Sequence, residues 1–424
     1  MITKILPYGR SHVSFEIPAE RFRGEYAPDL PHDVPLNRQV DILHSAMNHP
    51  VGTLPLRELA GGKDNIVLIS SDHTRPVPSR IMTPLLLKEI RVGNPEAQIT
   101  ILIATGCHRK STRDELVAKF GNEIVNNEHI HVHDCDLDPM SDLGLLPSGG
   151  RLLLNTIALQ ADLLIAEGFI EPHFFAGFSG GRKSVMPGIA ARKTVLYNHN
   201  ADFIRHPEAR AGSLAGNPLD LDMTCGAQRA GLTFICNVII NSAKEIVHAV
   251  AGDPQAAHQL GCDYLMEKSK ISPAFSDIVI VSNGGYPLDQ NIYQAVKGMS
   301  AAATVVKKGG VIIMVAESED GCGAPEFYQT LREERDPRQL SQKIEATPRE
   351  RTRVDQWQSQ VFAKVLSHCH VVYLSGLPPE LVEELHMIPA ATPREALETA
   401  DRLLNHNQGT IITIPDGISV IVAS

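Results

Sequence analysis

Short apolar runs, each bounded by polar residues or glycine, recur along this chain with amphipathic stretches between them. That alternation limits the fold more than any single motif does. Residues 66–70, 99–104, 163–166 and 234–240 read as buried strands. Helical patterns at 79–90 and 112–120 lie among them, the second opening on a capping-box spacing, Thr112 followed by Glu115. The pattern restarts after the polar, proline-ended stretch Lys268-Ser269-Lys270-Ile271-Ser272-Pro273. Strands are then expected at 278–282, 311–315, 371–374 and 411–414, with helices at 291–306, 379–386 and 393–405. A charged stretch, 331–353, reads as solvated helix and loop. Strand–helix alternation predicts an α/β fold with mostly parallel sheets. A chain of 424 residues has room for more than one such unit. The expected organisation is two α/β domains, 1–268 and 274–424, with an active-site cleft between them and the last few residues packing back on the first.

Composition excludes several classes of function. The chain carries 39 Lys and Arg against 49 Asp and Glu, a net charge of −10, with no basic stripe to meet nucleic acid. Its longest apolar runs, such as 234–240, are far shorter than the ~20 residues that span a bilayer. Seven scattered cysteines with no CxxC pair suit reduced thiols, and no secretory signal opens the chain, so a cytoplasmic protein is expected.

Unusual polar residues gather just after the expected strands. Asp72-His73-Thr74-Arg75-Pro76 follows the first, Thr105-Gly106-Cys107-His108-Arg109 the second, and Glu167-Gly168-Phe169-Ile170-Glu171-Pro172-His173 the third. Asn283-Gly284-Gly285-Tyr286-Pro287 follows the first strand of the second half. Ligands of open α/β sheets bind outside the carboxyl ends of strands, so these segments can share one crevice. The densest run, Gly177-Phe178-Ser179-Gly180-Gly181-Arg182-Lys183-Ser184, suggests a phosphate cradle. It is not a P-loop, because Arg182 stands where that motif needs glycine and Pro187-Gly188 interrupts the following helix. His108, His173 and His199 stand out among 18 histidines by their positions near strand or helix ends, where imidazole can move protons or bind metal. A rival cluster, His129-Ile130-His131-Val132-His133, puts three imidazoles at a period of two, which suits either zinc or an exposed edge strand. With Asp289 as N-cap, Gln294 and Lys297 share a helix face and could hold a small carboxylate.

Taken in order, these segments resemble the nickel-pincer-nucleotide-dependent lactate racemase family. The resemblance is carried by Asp72-His73-Thr74-Arg75-Pro76, Thr105-Gly106-Cys107-His108, the run from Glu171 through Lys183, His199 in Tyr197-Asn198-His199-Asn200, and Asp289…Tyr293-Gln294…Lys297. It implies a cytoplasmic two-domain enzyme that inverts C2 of a 2-hydroxy acid by hydride transfer to and from its cofactor. That cofactor is a pyridinium mononucleotide holding Ni(II) through sulfur, carbon and sulfur, made by dedicated cofactor-synthesis enzymes. By similarity Lys183 tethers it and His199 is the fourth nickel ligand. Asp72, Thr74, Arg75, Gly180 and Gly181 would lie near the cofactor. His108 and His173 would be the two acid/base groups, and Arg75, Tyr293, Gln294 and Lys297 would bind substrate. Three other readings stay open on residues alone: an epimerase of a longer acid such as malate or an aldonate, a non-catalytic nucleotide or cofactor carrier, and a zinc hydrolase using His129, His131 and His133.

Overall fold

The computed structural model describes residues 1–423. Two compact units emerge, and the chain passes between them more than once. One comprises Met1–Asp29, His199–Pro207 and the chain from Lys268 onward; the other comprises Leu30–Asn198 and Glu208–Glu267. The crossing at Glu267/Lys268 lies at the expected linker, whereas those at residues 29/30, 198/199 and 207/208 leave no mark in the hydrophobic pattern.

The unit that begins at Leu30 is built on a six-stranded sheet. In spatial order its strands are Ile246–Gly252, Leu232–Ile240, Leu163–Phe169, Asn65–Ser71, Gln98–Ala104 and His129–Val132. Only the first pair is antiparallel. Every residue of Leu163–Phe169 is buried, as a parallel strand covered on both faces must be. That strand runs three residues beyond the expected 163–166, so Glu167 stands inside the sheet rather than in the loop after it. The helix Ser79–Gly93 buries Met82, Leu86, Leu87 and Ile90, and the next helix, Arg113–Phe120, opens on the expected Thr112–Glu115 capping box. Strand order reverses between Asn65–Ser71 and Leu163–Phe169, and crevices in such sheets open at this switch point.

The other unit repeats the principle with strands ordered Ile388–Ala390, His370–Leu374, Val306–Val315, Ser276–Ser282, Ile411–Ile414 and Phe22–Glu25, all parallel. An N-terminal strand, Phe22–Glu25, thus completes a sheet whose other members come from beyond residue 270. At the far end of the chain Ile421 and Val422 pair with Lys270 and Ile271 of the same unit. The expected helix 291–306 proves to be Ile292–Ala303, with Val306 already in a strand. Its N-cap is Asn291, whose side chain accepts from Gln294 N–H, and not Asp289. Asp289 instead accepts backbone N–H groups from Gly9 at 2.7 Å and Glu317 at 3.3 Å. The charged stretch 331–353 is only partly solvated, since Leu331, Leu340 and Ile344 join the core. No helix of the described residues is long and apolar enough to cross a membrane.

Candidate active site

Asp72, Thr74, Arg75 and His108 form one hydrogen-bonded cluster past the ends of neighbouring strands. Asp72 Oδ1 accepts from the Thr74 backbone N–H at 3.1 Å and from its hydroxyl at 2.6 Å, and Oδ2 accepts from His108 Nδ1–H at 2.7 Å. Arg75 Nη1 donates to the Thr74 hydroxyl at 2.9 Å. Burial pushes the Asp72 carboxyl up, but His108, Arg75 and Thr74 outweigh it and hold the group well below the usual carboxylate range. An ionised carboxylate only accepts, so it fixes the proton on Nδ1 and leaves the lone pair of neutral His108 on Nε2. The Nε–Nη2 edge of Arg75 makes no hydrogen bond among the described residues, and it is an edge that matches a carboxylate.

His173 lies on a short hairpin, Pro172–His173 paired with Gly177–Phe178. Its ring stacks on Phe174, with centroids 5.0 Å apart, and meets Phe175 edge-on at 4.6 Å. Its Nδ1 accepts the Ala176 N–H at 3.2 Å, the reverse of the arrangement at His108, so neutral His173 carries its proton on Nε2. The Lys183 ammonium stands 5.8 Å from the centroid of the same Phe175 ring, which brings the expected tether beside one expected acid/base group. The loop carrying Lys183 also touches the loop carrying His108, through Gly106 N–H to Gly188 O at 2.9 Å.

Gly180 and Gly181 are needed for close packing. Both have positive φ, and a Cβ would come 2.8 Å from Asn237 Oδ1 at the first and 2.8 Å from the His258 ring at the second. Arg182, which breaks the P-loop pattern, is the clamp of this segment. It is buried, pairs with Asp220, and bonds Phe178 O at 3.2 Å, Ala176 O at 3.1 Å and His258 Nε2 at 3.0 Å. Burial beside Arg182 pushes His258 down to about 3, so that imidazole stays neutral. A cavity of about 360 Å³ opens behind this clamp, and none of the expected site residues lines it.

The remaining expected residues belong to the other unit. His199 is buried, its ring 4.9 Å from that of Trp357 and inclined at 62°. The segment it heads is held by Gln360, which donates to Ala201 O at 2.9 Å, and by Arg349, which donates to Asp202 at 3.1 Å. Tyr293 donates its hydroxyl to Asp355 Oδ1 at 3.0 Å, and its carbonyl accepts from Gln358. Gln294 is buried with its Oε1 lacking a hydrogen-bond partner, and half-buried Lys297 follows one turn later on the same helix. Trp357, Asp355 and Gln358 were not legible as support for these residues, because nothing in local spacing links them to His199 or Tyr293.

The histidine-rich stretch does not gather all three imidazoles, although Asp138 Oδ2 lies 2.8 Å from His131 Nε2 and 3.6 Å from His133 Nδ1. His129 Nδ1 faces Thr100, His131 Nε2 faces Asp138, and His133 lies beyond the strand, fully buried between Ala190 O and Asn155. His129–Val132 is an edge strand. Among the described residues no group of three or more His, Cys, Asp or Glu could hold a metal ion.

Residues 8–212 match the family model described as the lactate racemase N-terminal domain, and residues 271–422 match its C-terminal domain. The chain belongs to the lactate racemase family. Two lactate racemases, from Thermoanaerobacterium thermosaccharolyticum and Lactiplantibacillus plantarum, are each 48% identical to it, over 98% and 100% of both chains respectively. The lactate racemase apoprotein from the first organism superposes with a TM-score of 0.95 at 48% identity, covering 100% of both chains. A Thermotoga maritima protein, 17% identical, matches with a TM-score of 0.65 over 93% of this chain and 100% of its own, a likeness of fold alone. Membership makes this chain an isomerase of the racemase type.

Proposed function

We propose that this racemase interconverts the enantiomers of lactate, using a nickel pincer nucleotide tethered at Lys183, with His108 and His173 as its acid/base pair. The observation that carries the reading is the Asp72–Thr74–Arg75–His108 cluster. A 2-hydroxy acid presents a hydroxyl and a carboxylate on neighbouring carbons. The cluster offers a lone pair on His108 Nε2 for the first and the Arg75 edge for the second. Both relatives named above are lactate racemases, which supports lactate over a longer acid.

When bound, the cofactor supplies an electron-poor ring that takes the C2 hydrogen with its electron pair and gives it back. The protein's share is proton movement and grip. His108 Nε2 takes the hydroxyl proton of one enantiomer, and Asp72 stabilises the imidazolium that forms. Arg75 holds the carboxylate so that the planar keto acid turns without leaving. His173 serves the opposite face, after its Nδ1 gives up the bond from Ala176.

The donor set suits the group. His199 would be the one protein ligand to nickel, a number that agrees with a pincer bringing three donors of its own. Lys183 is the one lysine in the glycine-rich run, and the aromatic floor of Phe175 under it suits a flat ring. The seven free cysteines suit a reducing cytoplasm, and cofactor-synthesis enzymes are the partners that loading requires. The test is chiral chromatography of lactate, malate and aldonates with protein co-expressed with those enzymes. Interconversion of D- and L-lactate above the other acids supports the proposal, and a preference for a longer acid would replace its substrate.

A further inference from the structure

A second set of buried charges lies beside the Asp72 cluster, and the racemase chemistry has not used it. Glu167 is fully buried in the sheet, accepting from Ser70 Oγ at 2.7 Å and Thr83 Oγ1 at 2.8 Å. Two neutral hydroxyls do not balance a buried carboxylate, and such groups persist only beside a counter-charge. The cation comes from another element. Lys119, on the last turn of Arg113–Phe120, donates Nζ–H to Ser71 Oγ at 3.2 Å and feels both Glu167 and Asp72. Burial pushes its ammonium down to about 8, with the two carboxylates opposing that fall and Arg75 adding to it.

The charges sum to a simple balance. Counted in their ordinary charged forms, Asp72 and Glu167 bring two negative charges and Arg75 and Lys119 two positive ones, so His108 sits beside a compensated cluster. On the more open side Glu115, Arg109 and His73 surround the same loop. Within the sheet the Cys236 thiol faces Glu167 and is pushed up to about 12, so it brings no charge.

We propose that Lys119 is a positioning residue for the racemase: its ammonium balances Glu167 and Asp72, so that Asp72 orients His108 without trapping a proton on it. The proposal rests on His108 being the acid/base group. Without Lys119 the cluster carries one surplus negative charge, the imidazolium is favoured, and His108 accepts the substrate proton only at higher pH. Without Glu167 the surplus is positive and the effect reverses.

The test is an NMR titration of the imidazole ring signals in the full chain, His108 being assigned by its loss in His108→Asn. Lys119→Met should move the His108 midpoint up by about half a pH unit or more, and Glu167→Gln should move it down. Lys119→Arg should restore the parent midpoint, and the acid limb of racemisation in loaded enzyme should follow the same order. Unmoved midpoints in Lys119→Met and Glu167→Gln, with only the melting temperature lowered, overturn the proposal and leave Lys119 a structural lysine. Should Lys119→Met not fold, Glu167→Gln alone carries the test through the sign of its shift. Parent-rate racemisation by His108→Asn would remove the acid/base reading instead, while the midpoints still decide the electrostatic one.

Discussion

Asp72 Oδ2 accepts from His108 Nδ1–H at 2.7 Å, joining a carboxylate only 2% exposed to an imidazole side chain that is 40% exposed. One partner is locked and the other reaches solvent, which is the geometry of an oriented base. Asp72→Asn removes the charge and allows the amide to donate to Nδ1, which would move the ring proton to Nε2. Racemisation should fall by ~10²–10⁴-fold, the usual contribution of an acid/base group. Steady-state rates in both directions check it.

The same carboxylate has a stability signature. Its folded pKa lies below the unfolded value of about 3.9, so its contribution is complete above that pH and is lost as pH falls toward the folded value. Melting temperatures of parent and Asp72→Asn should therefore stay apart at about pH 5 and converge as pH falls below about 4. Calorimetry over that range reads it directly; a gap that widens in acid contradicts the assignment.

Lys183 should carry a covalent adduct when the protein is made alongside cofactor-synthesis enzymes. Intact-mass spectra of the parent should show an increment that Lys183→Ala lacks. The same increment on the variant would move the tether elsewhere.

Much of this was legible in sequence because the fold is built from local signals. The strands Asn65–Ser71 and Gln98–Ala104 centre on the apolar runs 66–69 and 101–104, and Thr112 with Glu115 announces a helix start by hydrogen bonds that reach only three residues. The polar residues after those strands follow from where parallel sheets open. What stayed hidden depends on contacts between distant segments. Asp289 looked like a cap because Asp favours that position, yet Gly9 and Glu317 claim its carboxylate from far along the chain and Asn291 takes the cap. Arg182 looked like a defect in a phosphate loop, and its reason is Asp220 and His258. His129, His131 and His133 shared a period of two, yet only His131 and His133 meet, at Asp138, while His129 turns to Thr100 and the strand ends at Val132.

The Arg182–Asp220 pair should be costly to break. Arg182→Met leaves Asp220 without its partner and strips bonds from Ala176 and Phe178, so a loss of about 3–5 kcal/mol is expected. Arg182→Lys should recover little, because one ammonium cannot span the same set of acceptors. Urea denaturation of the three proteins measures both differences.

His199→Ala should lower nickel retention more than His108→Ala, since only the first removes a proposed ligand. Trp357→Ala should fall between them, because it frees the His199 ring from its edge contact without removing the nitrogen. Metal analysis after identical loading and desalting orders the three; equal nickel in His199→Ala and His108→Ala would count against the ligand assignment.

The two proposed acid/base histidines hold different tautomers at rest, His108 with its lone pair on Nε2 and His173 with its proton there. Inversion needs a neutral imidazole on one face to take the hydroxyl proton and an imidazolium on the other to return one, with the roles exchanged in reverse. His173 can become imidazolium only when Nδ1 gains a proton in place of the bond from Ala176. Removing either should impair racemisation in both directions, because the equilibrium constant is fixed and inversion uses both groups. Each single variant should still oxidise the enantiomer that meets its surviving base. Single-turnover absorbance of loaded His108→Ala and His173→Ala should thus respond to opposite enantiomers. The parent's own response should also be unequal: the enantiomer facing His108 reacts from the resting state, whereas the other waits for His173 to release the Ala176 N–H and expose a lone pair on Nε2. Rapid mixing with each pure enantiomer should show one faster phase, and it should disappear in His108→Ala. Both variants answering to the same enantiomer, or either racemising at the parent rate, would leave a single base serving both faces.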